Sequence, residues 1–195
     1  MNFLAHFALA GKDEGLLVGN FVADFINGDD HLDLSISIQK GVEMHRSIDV
    51  YTDKHLVFRQ GKRKLKRYRH YSGVILDIFY DHFLAVNWHR LFDVPIDAFV
   101  KNTYEILERN RKNIPTSSHK ALDAMIKYDW LYHYQFIDGI EQVLNSMKKR
   151  TSYVSLLDES VFELVKHYKE FNNEFLVFWK DMMDETEGYR KESKE

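Results

Sequence analysis

The sequence predicts an all-α protein, a single-domain helical bundle. Three observations carry that expectation: two prolines and nine glycines interrupt 195 residues, apolar residues recur at steps of three and four, and no alternating run ends in a hairpin turn. An apolar fraction of 45%, of which aromatic residues supply much, fills one core without disulfides. One domain over residues 1–195 is long enough to bury roughly 70% of its unfolded surface.

The elements follow in order. MNFLAHFALA is apolar on every side and reads as a buried helix over 2–10, stopped by Gly11. The LLVGNFVADFI pattern gives a helix over 13–27, ended by Asn27-Gly28-Asp29-Asp30. GVEMHRSIDVYTD supports 36–51, a strongly basic stretch supports 55–69, and VILDIFYDHFLAVNW supports 71–90. Asp93-Val94-Pro95 separates that helix from 95–112, and Ile114-Pro115-Thr116 separates 95–112 from 117–127. Two further helices are expected over 134–149 and 156–184, with the charged tail from Asp184 to Glu195 frayed.

Composition excludes several chemistries. There is no cysteine, so thiolate zinc sites, thiol nucleophiles and redox pairs are absent. A metal must be held by His, Asp, Glu, Asn or backbone oxygen, which favours manganese, magnesium, iron or a His-rich zinc site. The apolar start has no basic leader or small-residue cleavage pattern and is too short to span a bilayer. The expectation is a soluble cytoplasmic protein without a membrane span.

Polar groups recur on apolar helices. Asp77 and Asp81 lie four apart and stack on one face, with His82 beside the second. Burying two unpaired carboxylates costs several kcal/mol each, and a divalent cation is an economical countercharge. His6 sits inside MNFLAHFALA; Asn20 and Asp24 share a face, as do His45 and Asp49, with Asp53 one turn further on. Each taken singly also fits a hydrogen-bonded core group or an exposed pair. Several helices that each offer Asp or His to an apolar interior are how a bundle builds a metal site. The paired Glu-x-x-His signature of a di-iron bundle is missing.

From Lys54 to Arg69 the chain carries eight Lys or Arg and no acid. Such a tract is a solvated helix face or a landing surface for an anion. Aromatic interleaving is thin, with Tyr68 and Tyr71 at its end, and the net charge is −3, so nucleic acid is not favoured. An acidic protein beside a metal site fits better.

MNFLAH at the start, GNFVADF at 19–25, MHRSIDVYTD at 44–53, LDIFYDHFL at 76–84 and GIEQVLNSMKKR at 139–150 resemble, in that order, the acyl carrier protein phosphodiesterases. The resemblance covers nearly the whole chain. It implies an all-helical relative of the HD-type metal phosphohydrolases that uses a divalent cation such as manganese. The implied reaction removes 4′-phosphopantetheine from a serine of holo acyl carrier protein. HD enzymes carry His-Asp in that order, whereas this chain has Asp81-His82. The polar motif residues fall on His6, Asn20, Asp24, His45, Arg46, Asp49, Asp53, Asp77, Asp81 and His82.

On that resemblance, and on ligand chemistry, Asp24, His45, Asp77, Asp81 and His6 are expected to hold the metal, with Asn20 contacting substrate. Arg46 is expected to neutralise phosphoryl oxygens, Asp49 to orient His45, and His82 to protonate the leaving serine. Lys62, Arg63, Lys66 and Arg67 are expected to grip the acidic carrier protein. Two other readings share these residues: an HD-type nucleotide or alarmone phosphohydrolase, and a non-catalytic helical module for an acidic partner.

Overall fold

Helix α1 (Phe3–Ala10) has no polar face, and it is buried from Leu4 to Ala10. An element apolar all round can only be stable inside the protein. The rest of the bundle is wrapped about α1. The computed structural model describes residues 1–28, 30–149 and 155–192, which contain helices and turns and no strand.

Helix α2 (Glu14–Val22) starts at Asp13, whose carboxylate accepts from the Leu16 N–H at 2.7 Å. Such a cap is worth about 1 kcal/mol. It runs against α3 (Ile36–Lys54) at unusually short range. A Cβ on Gly41 would sit 2.7 Å from the Gly19 Cα, and one on Gly19 would sit 2.6 Å from the Gly41 Cα. Only glycine permits that approach, and the two backbones touch there.

Helix α4 (Leu56–Lys64) leads through a 3₁₀ turn, Lys66–Tyr71, into α5 (Ser72–Val86). Helix α5 is the second buried axis: within Ile75–Ala85 all residues but Asp77 are buried. Phe79, Tyr80 and Phe83 on α5 and Phe58 on α4 pack against Phe171, Phe175 and Phe178 of α12 (Tyr168–Glu185). Between these lie α6 (Trp88–Leu91), α7 (Ile96–Arg109), α8 (Thr116–Lys127), α9 (Trp130–His133), α10 (Ile137–Lys148) and α11 (Ser160–Lys166).

The all-α expectation holds, and the helices are shorter than periodicity alone suggests. The stretch 55–69 breaks at Leu65, where α4 ends and the 3₁₀ turn begins, and Arg69 within that turn has φ 50° and ψ −116°. The stretch 71–90 breaks at Asn87, whose amide donates to the Phe83 carbonyl at 2.8 Å and to Asn172 Oδ1 at 2.7 Å. A side chain that captures the backbone in this way competes with helix continuation. The stretch 134–149 starts later, at Ile137, because Phe136 is extended. Helix α13 (Glu187–Glu192) follows α12, and Arg190 donates to the Leu9 and Met183 carbonyls at 3.2 and 2.6 Å. Residues 193–195 lie outside the described chain.

Candidate metal centre

The close contact of α2 with α3 places Asn20 directly beside His45, and α1 brings His6 over both. The Asn20 side-chain amide donates to the Leu16 carbonyl at 2.9 Å, which turns its oxygen toward His6. His6 Nδ1–H donates to that oxygen at 2.9 Å, and His45 Nδ1–H donates to the Asn20 backbone carbonyl at 3.0 Å. One residue thus fixes the tautomer of both imidazoles, because a carbonyl oxygen can only accept.

Both Nε2 atoms are left with lone pairs, and both face Asp49. His6 Nε2 lies 3.3 Å from Asp49 Oδ1 and His45 Nε2 lies 3.2 Å from Asp49 Oδ2, with the rings stacked at 4.0 Å between centroids. Asp24 Oδ1 is 3.6 Å from His45 Nε2. Lone pairs facing carboxylate oxygens require a cation between them, either a proton or a metal. Burial, with His45 adding to it, lowers the His6 pKa to about 4, against the pull of Asp49, so the ring is neutral at pH 7. Burial alone would raise the Asp49 carboxyl, but a proton shared with the facing His45 and His6 nitrogens, together with the Met1 ammonium, outweighs it and holds the carboxyl below its ordinary range. One donor atom each from His6, His45 and Asp49 lie within 4.8 Å of one another. Two imidazole nitrogens and carboxylate oxygen make a fitting set for a borderline divalent cation.

A cavity of about 290 Å³ opens beside these groups. Asp24, Asp49, Asp53 and Asp77 line it with Asn2 and Thr52, and Val74, Ile78 and Met147 supply its apolar wall. The Met1 amino group lies at its edge, 3.0 Å from Asp77 and 3.4 Å from Asp49. Burial opposes that charge, yet Asp77, Asp49 and Asp81 outweigh it and the amine's pKa rises to about 10. Burial pushes the Asp77 carboxyl up, with the amine pulling the other way. Asp24 is likewise raised by burial, against His45.

The structure therefore brings together His6, Asn20, Asp24, His45 and Asp49, with Asp77 and Asp53 on the cavity wall. Other expected residues lie elsewhere. Asp81 is spent on α1: its oxygens accept from the Leu4 and Ala5 N–H groups at 2.8 and 3.3 Å, capping that helix. Its carboxyl is fully buried, and desolvation lifts its pKa to about 8 in spite of the amine and the two N–H groups. His82 has both nitrogens occupied, Nδ1–H on the Tyr134 carbonyl at 2.7 Å and Nε2 accepting from the Tyr168 hydroxyl at 2.9 Å. It is no longer available as the acid for the leaving serine. Arg46 donates to the Gly28 carbonyl at 2.6 Å and does not line the cavity. Asn20 is fully buried and touches the histidines, so it orients them rather than meeting substrate.

The basic tract is divided. Lys62 reaches Asp53 on the cavity wall at 3.6 Å, and Lys64 pairs with Glu174. Arg67 meets Glu159 at 2.5 Å, while Arg63, Lys66 and Arg69 face solvent. Residue reading missed the Met1 amine, Met147 and the paired Gly19 and Gly41. Of these only the glycines leave a trace in sequence, as small residues interrupting two apolar helix faces. No described helix is long and apolar enough to cross a membrane.

Residues 1–182 match the family model described as acyl carrier protein phosphodiesterase. The chain is 32% identical over 190 residues to the acyl carrier protein phosphodiesterase of Photorhabdus laumondii, covering 96% of both proteins. It is 33% identical over 185 residues to that of Klebsiella pneumoniae and 32% identical over 185 to that of Escherichia coli, in each case covering 94% of this chain and 96% of the relative. No solved structure matches it significantly. With matches that run almost end to end, the chain belongs to the acyl carrier protein phosphodiesterase family.

Proposed function

We propose that the protein is a metal-dependent hydrolase that removes 4′-phosphopantetheine from holo acyl carrier protein in the cytoplasm. The observation that carries the metal dependence is the pair of histidine lone pairs aimed at one carboxylate. His6, His45 and Asp49 would hold the cation, with Asp24 near enough to complete the set. Manganese suits this mixture of imidazole and carboxylate donors, with magnesium or iron as substitutes. The bound cation supplies positive charge opposite the phosphoryl oxygens and acidifies water.

The remaining chemistry belongs to the chain. Water adds to phosphorus, the bond from phosphorus to the carrier's serine oxygen breaks, and that oxygen takes a proton. Asp77, on the cavity wall and ion-paired with the Met1 ammonium, takes the place of His82 in passing the proton to that oxygen. Lys62, paired with Asp53 at the rim, is close enough to meet the incoming phosphate as a point charge. A cavity of about 290 Å³ is at the small end of ligand sites and suits a slender prosthetic arm. The carrier itself rests outside, on the solvent-facing cations Arg63 and Lys66 with Arg67 beside them.

The test incubates metal-stripped protein with holo acyl carrier protein, with and without manganese, and follows the carrier's intact mass. Loss of the prosthetic-group mass only with metal, and not with the half-exposed Asp49 changed to Asn, is the expected result. An unchanged mass with every metal tried, from a well-folded protein, would overturn this reading in favour of a nucleotide substrate or a non-catalytic module.

A further inference from the structure

We infer that the outer face of α11 is the apolar half of the surface on which the acidic carrier protein docks. The inference rests on the proposed substrate and adds where and how it is held.

Helix α11 is apolar on two sides. Val161 and Leu164 face the core and are buried, whereas Phe162 is 71% and Val165 58% exposed. The exposed pair are three residues apart and so are neighbours on the helix surface. No described element covers them, and a bulky apolar pair left in water is the kind of feature that marks an interaction site.

The surroundings select the occupant. Glu159, three residues before Phe162, is the residue that holds the Arg67 guanidinium, so the basic turn Lys66–Tyr71 abuts this end of the face. At the other end Lys166 and Lys169 are exposed. An apolar pair bracketed by cations matches a helix that carries acids along its edges and an apolar side chain between them. An acidic helical carrier protein has that chemistry and would meet the exposed Lys66, Arg69 and Lys169, whereas Arg67 and Lys166 already face Glu159 and Glu163.

The face is also correctly placed. Arg69 in the basic turn precedes Val74 of the cavity wall by only five residues. On the other flank Lys148, next to the cavity residue Met147, pairs at 2.6 Å with Asp158 at the base of α11. A carrier seated on α11 and the basic turn therefore has the cavity mouth beside it, within reach of its prosthetic arm.

The experiment compares the full-length protein with the double variant Phe162→Ser, Val165→Ser. The readouts are steady-state hydrolysis of holo acyl carrier protein, salt dependence and thermal melting. The expected result is KM raised about tenfold, the loss typical of an exposed aromatic anchor, with kcat, salt dependence and melting temperature unchanged. Because both residues are exposed, folding should survive. If the double variant melts early, the single Val165→Asp change serves instead and should raise KM by charge repulsion. Unchanged KM in an active, folded variant overturns the docking face and leaves the proposed reaction standing. A wild-type protein that never changes the carrier's mass overturns both. Sedimentation showing a wild-type dimer that the variant dissociates would assign the face to a second copy and likewise overturn the inference.

Discussion

Asn20 decides the chemistry of two other residues without touching the cavity. Its side-chain oxygen and its backbone oxygen each hold one Nδ1–H, so both histidines present lone pairs in the same direction. Replacing Asn20 with Ala should lower manganese affinity ten- to a hundredfold, the usual loss when a partner orienting a ligand is removed, as read by calorimetric titration. Asp81 makes the converse case. It gives the same sequence signal as Asp49, a carboxylate on an apolar helix, and its oxygens are consumed by the first turn of α1. Asp81→Asn should bind manganese as the wild type does, whereas Asp81→Ala should lose about 1–2 kcal/mol of stability in urea as a missing cap. An Asp81→Asn protein that no longer takes up metal would return that residue to the ligand set. Sequence periodicity made His6, Asn20, Asp24, His45, Asp49 and Asp77 legible because each is polar on an apolar helix. The same signal marked His82, whose partners Tyr134 and Tyr168 come from the turn after α9 and from α12. Burial of a polar group is written locally, and what it faces is not.

At the scale of elements, the centre depends on how closely two helices approach. Gly19 and Gly41 let α2 and α3 touch backbone to backbone, and that contact sets the Asn20 carbonyl 3.0 Å from His45. Gly41→Ala should separate the helices, costing about 1–3 kcal/mol of stability as overpacking does and weakening metal binding with it. Thermal melts and a metal titration on the same sample check both. Retained metal affinity in a destabilised Gly41→Ala protein would detach the centre from this contact. Helix identity was legible throughout, and helix ends were not. The breaks at Asn87 and Leu65 leave the apolar spacing unaltered, and the first depends on a partner in α12.

Across the whole molecule, the net charge of −3 conceals a separation of charge. Four aspartates line the cavity, while Arg63, Lys66, Arg67 and Arg69 lie on the surface beyond it. Changing Lys66 and Arg67 together to Ala should raise KM for the carrier protein and flatten its salt dependence while kcat stays near wild type. A fall in kcat at constant KM would place those residues in the chemistry instead. Helix α13 has a further effect. The first helix is closed from three sides: by Asp77 and Asp49 at its leading amine, by Asp81 on its first turn, and by Arg190 on the Leu9 carbonyl. His6, Asp24, His45 and Asp49 all emerge early in synthesis, but Arg190, which closes α1 at its far end, follows Leu9 by 181 residues. A nascent chain thus carries every candidate ligand long before it can hold them in place, and the enzyme should become active only after α13 has been released.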